Sequence, residues 1–249
     1  MNIVVAMKQI PDLQQIRIRN RQPLLDDVPL TFGNIDKNAL EAGMQIKEAN
    51  QGKVTVVCAG PRELADTVKE ALAAGADEAR LLIVEEEMDS AQSARLIAAA
   101  LRQMEQVDLI IMGEGSGDNY SSQVGSRVAQ ILGIPQVGFA SCIEVKGSVV
   151  RITRSLEDCE EIIEAQLPVL ITVMSDINTA RIPSVSQILR AGKKPVVSIE
   201  AQELGIDIGE LSIETISNLA PEMQRRQIVT TSAAELVRAL ESEGFGGRG

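Results

Sequence analysis

The chain has no histidine and no tryptophan in 249 residues, and only one tyrosine and three phenylalanines. The lack of histidine excludes imidazole acid–base catalysis and removes the commonest metal ligand. So few aromatics argue against a platform on which nucleic-acid bases could stack. Cysteine is scarce as well. Cys58, Cys142 and Cys159 lie far apart with no C-x-x-C spacing. They read as reduced thiols in a reducing, cytoplasmic setting, used for packing rather than chemistry. No apolar run approaches membrane-spanning length, so no membrane insertion is expected. Positive charge is in deficit, with 24 Lys and Arg against 35 Asp and Glu, a net charge of −11. That balance disfavours a nucleic-acid surface. The first residues reach Lys8 after a short apolar run, which suits a first strand better than a signal peptide.

What the sequence does have is one unusual stretch from Asp108 to Gly125. Residues 109–112 are a short apolar run, which reads as a buried strand. Gly113, Gly115 and Gly117 let the backbone bend tightly and approach a ligand closely. Asp118, Asn119, Ser121 and Ser122 are residue types that cap helices. From Ser122 the pattern turns helical, with Val124, Val128, Ile131 and Leu132 spaced for one face. A helix start with free N–H groups favours an anion, typically a phosphate. The loop is neither G-x-G-x-x-G nor a Walker A. On residue types alone it fits a nucleotide site or an ordinary strand-to-helix turn at a sheet edge.

Strand–helix units recur along the first half. Residues 3–7 form an apolar strand that ends in the turn Lys8-Gln-Ile-Pro-Asp12. Residues 16–19 and 29–32 suggest short irregular strands. A helix starts near Asp36. Residues 54–58 form a second strand, ending at Ala59-Gly60-Pro61. A helix over 62–74 is closed by Gly75. Residues 79–84 and 90–103 form the next strand and helix. This alternation predicts an α/β fold with an open, mostly parallel sheet and helices on both faces. The ends of its strands at Met7, Cys58 and Met112 would line one edge, where ligands bind in such folds.

The second half differs. Lys146-Gly147 sits between two strand patterns, a hairpin signal. Residues 157–161 form an acidic cluster, most simply a solvated turn or strand face. Residues 167–174 read as a buried strand. Ser184 could cap a short helix over 185–190, and the lysines at 193 and 194 suit that helix's negative end. Residues 198–230 have no clear pattern, a last amphipathic helix covers about 232–243, and 244–249 read as a flexible tail. The expected division is an α/β domain over 1–196 and an arm over 197–249, with too few apolar residues for its own core. Such an arm is expected to lie against a partner subunit.

Taken in order, these motifs resemble the beta subunit of an electron-transfer flavoprotein, over essentially the whole chain. The resemblance rests on Lys8 to Asp12, Asp36-x-x-Ala39-Leu-Glu41, Ala59-Gly-Pro61, Ala74-Gly-Ala-Asp77 and Gly113 to Gly125. It continues through Arg154 to Glu161, Pro168, Arg181-Ile-Pro-Ser184 and Ala191-Gly-Lys-Lys-Pro195. It implies an adenine-nucleotide alpha hydrolase-like fold and a heterodimer whose alpha subunit carries FAD. It also implies a second nucleotide in the beta subunit: AMP in housekeeping members, FAD in electron-bifurcating and nitrogen-fixation-linked ones. The Lys8 turn and the 117–125 loop are closer to the FAD-binding group, which points to FAD here, with AMP as second choice.

Carried over by position, the resemblance implies contacts from Ala6, Lys8, Asp36, Ala59, Gly60, Gly113, Asp118, Asn119, Ser121, Ser122, Gln123, Val124 and Gly125 to the nucleotide. Val185, with Ile188, matches an anchor for a partner such as an acyl-CoA-type dehydrogenase or a quinone reductase. Glu161 matches an acidic position near the subunit interface. Two departures stand out. Gly33-Asn34 replaces an Asn-Pro found in many relatives before the position of Asp36, and Cys159 stands where small or acidic residues are usual. The function implied is electron carriage, with no catalytic residue and no metal in this chain. The alternative is a flavin-free adenine-nucleotide-binding or stress-type domain, which accounts for the first 140 residues but not for the Val185 segment or the arm.

Overall fold

A computed structural model describes residues 1–211, 213, 216–217, 219–222 and 227–245. The expected tail falls largely on residues 246–249, which lie outside the described residues, as do parts of the arm. The chain begins with β1 (Asn2–Met7), followed by four short strands, β2 (Gln9–Pro11), β3 (Arg17–Arg19), β4 (Gln22–Leu24) and β5 (Leu30–Phe32). Next come α1 (Asn34–Asn50), β6 (Lys53–Gly60), α2 (Leu64–Ala74), β7 (Glu78–Ile83), α3 (Ser90–Arg102), β8 (Leu109–Gly113) and α4 (Val124–Leu132). The second half adds β9 (Gln136–Lys146), β10 (Val149–Ser155), β11 (Glu160–Gln166), β12 (Val169–Val173), α5 (Val185–Ala191), β13 (Val196–Glu200), a 3-10 turn (Ala201–Leu204) and α6 (Ala233–Ser242).

Among the described residues nine strands form one sheet, in the order β11-β10-β9-β12-β8-β1-β6-β7-β13. All neighbours are parallel except around β10, which is antiparallel to both β9 and β11. The central strands are apolar without alternation because helices cover both their faces. Ile3, Val5, Val56 and Ile111 pack under α1 and α2. Val4, Val57, Leu82 and Ile110 pack under α3 and α4. Local signals set the helix ends. Asp89 accepts from the N–H groups of Ala91 and Gln92, and the Gln92 side chain accepts from the Asp89 N–H, which fixes the start of α3. Gly75 ends α2 at φ 129°, a conformation that side chains rarely adopt.

Two sequence expectations change. Val196–Glu200 pairs with β7 as an edge strand, so the first residues assigned to the arm belong to the sheet. The strand escapes detection because its burial is partial and Pro195 immediately precedes it. The second change concerns α4, which starts at Val124 rather than Ser122. By contacts the chain divides into two units, Met1–Arg17 with Leu24–Ser217, and Ile18–Pro23 with Asn218–Gly249. In the second unit, the Ala220 N–H donates to the Arg21 carbonyl at 2.7 Å. Also in that unit, α6 is capped by Ser232, and none of its residues is buried.

Candidate functional site

The sheet order reverses beside β1. The chain passes from β1 to β6 and β7 on one side, then returns to β8 on the other. The loops leaving β1 and β8 therefore diverge and leave a crevice at the strand ends, which is where open α/β sheets bind ligands. Ala6 is buried in β1, paired with Val57 on one side and Met112 on the other. Ala59 and Gly60 end β6 next to it, and Gly113 ends β8. A side chain at Gly113 would meet Ile35 at 2.8 Å, so glycine lets α1 approach the strand.

Asp36, in the first turn of α1, is buried, and among the described residues its Oδ2 has no hydrogen-bond partner. Burial pushes its carboxyl up to about 7, against the opposing pull of the Lys8 N–H and the Lys8 charge. Gly33, the N-cap of α1, leaves room here. A Cβ on it would stand 3.2 Å from Asp36 Oδ2 and 3.9 Å from the Gly117 nitrogen. The departure at Gly33-Asn34 thus opens space beside the carboxylate. Cys58 is also buried close by, and burial, then the Asp36 charge, push its thiol up.

The loop from β8 crosses this crevice. Asp118 accepts from Lys8 Nζ at 2.6 Å, joining the loop to the end of β1. Burial works to raise the Asp118 carboxyl, but hydrogen bonds from Lys8 and Ser116 and the Lys8 charge hold it below its usual range. Tyr120 and Ser122 adopt φ of 44° and 54°, a left-handed backbone that bends the loop sharply, and the Tyr120 N–H donates to the Ser116 carbonyl at 3.1 Å. Tyr120 donates to Glu114 at 2.5 Å, bracing the loop. The helix cap is Gln123, which makes no side-chain cap bond. The expectation that Asp118, Asn119, Ser121 or Ser122 would cap α4 is therefore corrected: Asp118 is held by Lys8, and the loop stays non-helical through residue 122. The first-turn N–H groups of α4, starting with Val124, have no acceptor within the helix. Gln123 instead accepts from Ser90 at 3.3 Å and from Arg127 at 2.7 Å. Gly125 is buried against β12, and a Cβ there would stand 2.6 Å from the Thr172 methyl. Among the described residues no group of Cys, Asp and Glu could hold a metal ion.

Residues 25–204 match the electron transfer flavoprotein domain. The chain is 36% identical to the electron transfer flavoprotein subunit beta of Thermoanaerobacterium thermosaccharolyticum, over 96% of each chain. It is 35% identical to the subunit beta of Clostridium acetobutylicum, over 98% of this chain and all of that one. It is also 34% identical to the caffeyl-CoA reductase-Etf complex subunit CarD of Acetobacterium woodii, over 83% of this chain and 80% of that one. The chain belongs to the electron transfer flavoprotein beta-subunit family.

Within this family member, the structure brings expected crevice residues from the ends of β1, β6 and β8 together with Asp36 of α1 and the loop into α4. It sets Val185 and Ile188 apart, on α5, where Val185 is 74% exposed. Ser184 caps α5 by accepting from the Gln187 N–H, with the Gln187 side chain returning to Ser184. Ile182 and Leu189 are exposed beside them, at 93% and 74%. Sequence reasoning missed these two, although their spacing from Val185 and Ile188 carried the signal. It noted Gly33 only as a departure from relatives, because its importance depends on what Asp36 faces.

Proposed function

We propose that this chain is the nucleotide-holding beta subunit of a heterodimeric electron carrier, with FAD rather than AMP in the crevice beside β1. Its partner is an alpha subunit that carries its own FAD. The heterodimer works in the cytoplasm and passes electrons to an acyl-CoA-type dehydrogenase or a quinone reductase. The observation that carries the nucleotide reading is the buried Asp36 carboxylate with one unsatisfied oxygen beside Gly33. A buried acceptor left unpaired costs about 1–3 kcal/mol, and a ligand hydroxyl such as that of a ribose would offset the loss.

The remaining residues fit the same ligand. The uncapped first turn of α4, with Gln123, Val124 and Gly125, offers N–H groups and a positive dipole end to phosphates. Asn119, Ser121 and Ser122 are exposed on the approach. Lys8, paired with Asp118, holds the loop over the crevice, and Ala6, Ala59, Gly60 and Gly113 offer small walls for a flat base. FAD is preferred because the Lys8-to-Asp12 turn and the 117–125 loop are most like those of FAD-binding relatives. The redox chemistry is the flavin's; the residues of this chain position it and shape its surroundings.

The partner reading has separate support. Leu236, Val237 and Leu240 of α6 are about half exposed, an apolar face in need of cover. A relative is named as a subunit of a larger complex. The α5 face, with Val185 at its centre, suits a redox partner with an apolar socket. The test is to purify the heterodimer, release its nucleotides with acid and separate them by chromatography. A second FAD for each alpha-bound one is expected. AMP in its place would overturn the choice of FAD, and no second nucleotide would overturn the site.

A further inference from the structure

Packing does little to hold α5. Of its residues only Ala191 is buried. Between this segment and helices α1 and α2 lies a largely apolar cavity of about 470 Å³, whose walls include Leu40, Met44, Ala71, Ala74 and Ile188. The attachments are polar and sit at the two ends. Before α5, Asn38 Nδ2 donates to the Asn178 carbonyl at 2.8 Å, and Asn178 Nδ2 donates back to the Asn38 carbonyl at 3.0 Å. Arg181 donates from Nε and Nη2 to Glu41 at 2.6 and 3.0 Å, and from Nη1 to Glu48 at 2.6 Å. The Glu41 side chain is only 7% exposed, and an Arg–carboxylate fork in such a place is strong and directional. After α5, Lys194 Nζ donates to the Leu72 and Ala76 carbonyls at 2.8 and 2.6 Å, at the end of α2.

We infer that Arg181 and Lys194 are positioning residues that clasp α5 at both ends as a strap over α1 and α2, holding Ile182, Val185, Ile188 and Leu189 ready for a redox partner. The inference rests on the docking role proposed above for the α5 face. An apolar face on a poorly packed helix binds well only if something else keeps the helix in place, because ordering it on binding would weaken association. The clasp does this without covering the face. Its main grip is on α1, the helix that also carries Asp36, so the docking segment and the nucleotide crevice share one rigid support.

Removing Arg181 alone would strand the buried Glu41 charge, so the test pairs Arg181→Gln with Glu41→Gln in the full heterodimer. Arg181→Lys keeps the charge without the fork. Hydrogen exchange of residues 182–190 should speed up by about tenfold in the double variant, as expected for a locally loosened segment. The 117–125 loop and the flavin content should stay as in wild type. With an acyl-CoA dehydrogenase as electron acceptor, KM for the carrier should rise by about tenfold while kcat holds, since apparent affinity falls with the fraction of competent helix. Arg181→Lys should lie between wild type and the double variant. Val185→Ser serves as the control for docking. Unchanged exchange over 182–190 overturns the clasp. Faster exchange with an unchanged KM, while Val185→Ser raises KM, overturns its role in docking. A wild-type KM in Val185→Ser overturns the docking reading itself.

Discussion

Gly125→Ala tests how tightly α4 must sit on the sheet. An added Cβ would stand 2.6 Å from the Thr172 methyl, 3.4 Å from Leu170 Cδ2 and 3.8 Å from Met112 Sδ. Carbon atoms settle about 3.5–4.0 Å apart, so the first turn of α4 must shift outward by about 1 Å. Overpacking of this kind costs about 1–3 kcal/mol. The better helix propensity of alanine returns at most about 1 kcal/mol. A net loss of about 1–2 kcal/mol is expected. Thr172→Ser removes the offending methyl and by itself costs about 1 kcal/mol for a lost buried carbon. In the double variant the new methyl fills the space the old one left, so the two changes should couple favourably by about 1–2 kcal/mol. Urea midpoints followed by far-UV circular dichroism suit a chain without tryptophan, with heterodimer concentration held fixed. The same shift would draw the first-turn N–H groups away from a bound phosphate. Nucleotide content should therefore fall in Gly125→Ala and recover in the double variant. Additivity within about 0.5 kcal/mol would refute the contact. Nucleotide loss that the second change does not rescue would refute the link between this packing and the crevice.

Three more predictions concern separate parts of the chain. Burial pushes the Asp36 carboxyl from 3.8 up to about 7, so between those pH values the folded protein holds a proton that the unfolded chain has lost. Stability of the nucleotide-free protein should therefore fall as pH rises through that window and level off above it; Asp36→Asn should flatten the curve, and parallel curves would show that Asp36 is ionised throughout. Val185→Ala should change stability by less than about 0.5 kcal/mol, as suits an exposed site, yet slow electron transfer to the dehydrogenase; a larger stability loss with intact transfer would mark it as a packing residue. Limited proteolysis without the alpha subunit should cut within residues 205–245, past the last turn joined to the sheet; equal resistance with and without alpha would refute packing of the arm on the partner.

Most of the fold was legible because its signals are local and repeated. The buried strands β1 and β8 carry unbroken apolar runs over residues 3–7 and 109–112, and the buried parts of β6 and β12 are each interrupted by a single threonine; each βα unit returns to the sheet in the same hand. The caps at Asp89, Ser184 and Ser232 act on the helices that follow them, so the sequence displays them directly. β13 was not legible. Its five residues are half-buried at an edge and owe their conformation to hydrogen bonds with β7, more than a hundred residues earlier. No pattern within Val196–Glu200 announces that partner.

The crevice divides along the same line. Glycines and small polar residues after β8 marked it as a turn built for close approach, and that much follows from residue type. The role of each side chain did not. Asp118 has the chemistry of a helix cap, but Lys8, 110 positions away, takes its carboxylate. This pairing leaves the loop with its side-chain charge matched and its Tyr120 N–H bonded to the Ser116 carbonyl, so the N–H groups left without a helical acceptor are those of the first turn of α4. It also leaves Asp36, whose Oδ2 has no hydrogen-bond partner among the described residues, as the acid of the crevice not matched by a lysine. Asp36 is buried by β1 and α1 together and spared contact by a glycine at position 33. A buried carboxyl oxygen without a partner is costly to keep in a fold that has no other use for it. Here it lies where the sheet order reverses, near Gly117 of the loop that leads into α4, a helix start without a side-chain cap. The two features complement each other, one accepting from a hydroxyl and the other donating to a phosphate, and a nucleotide presents both groups within a single molecule.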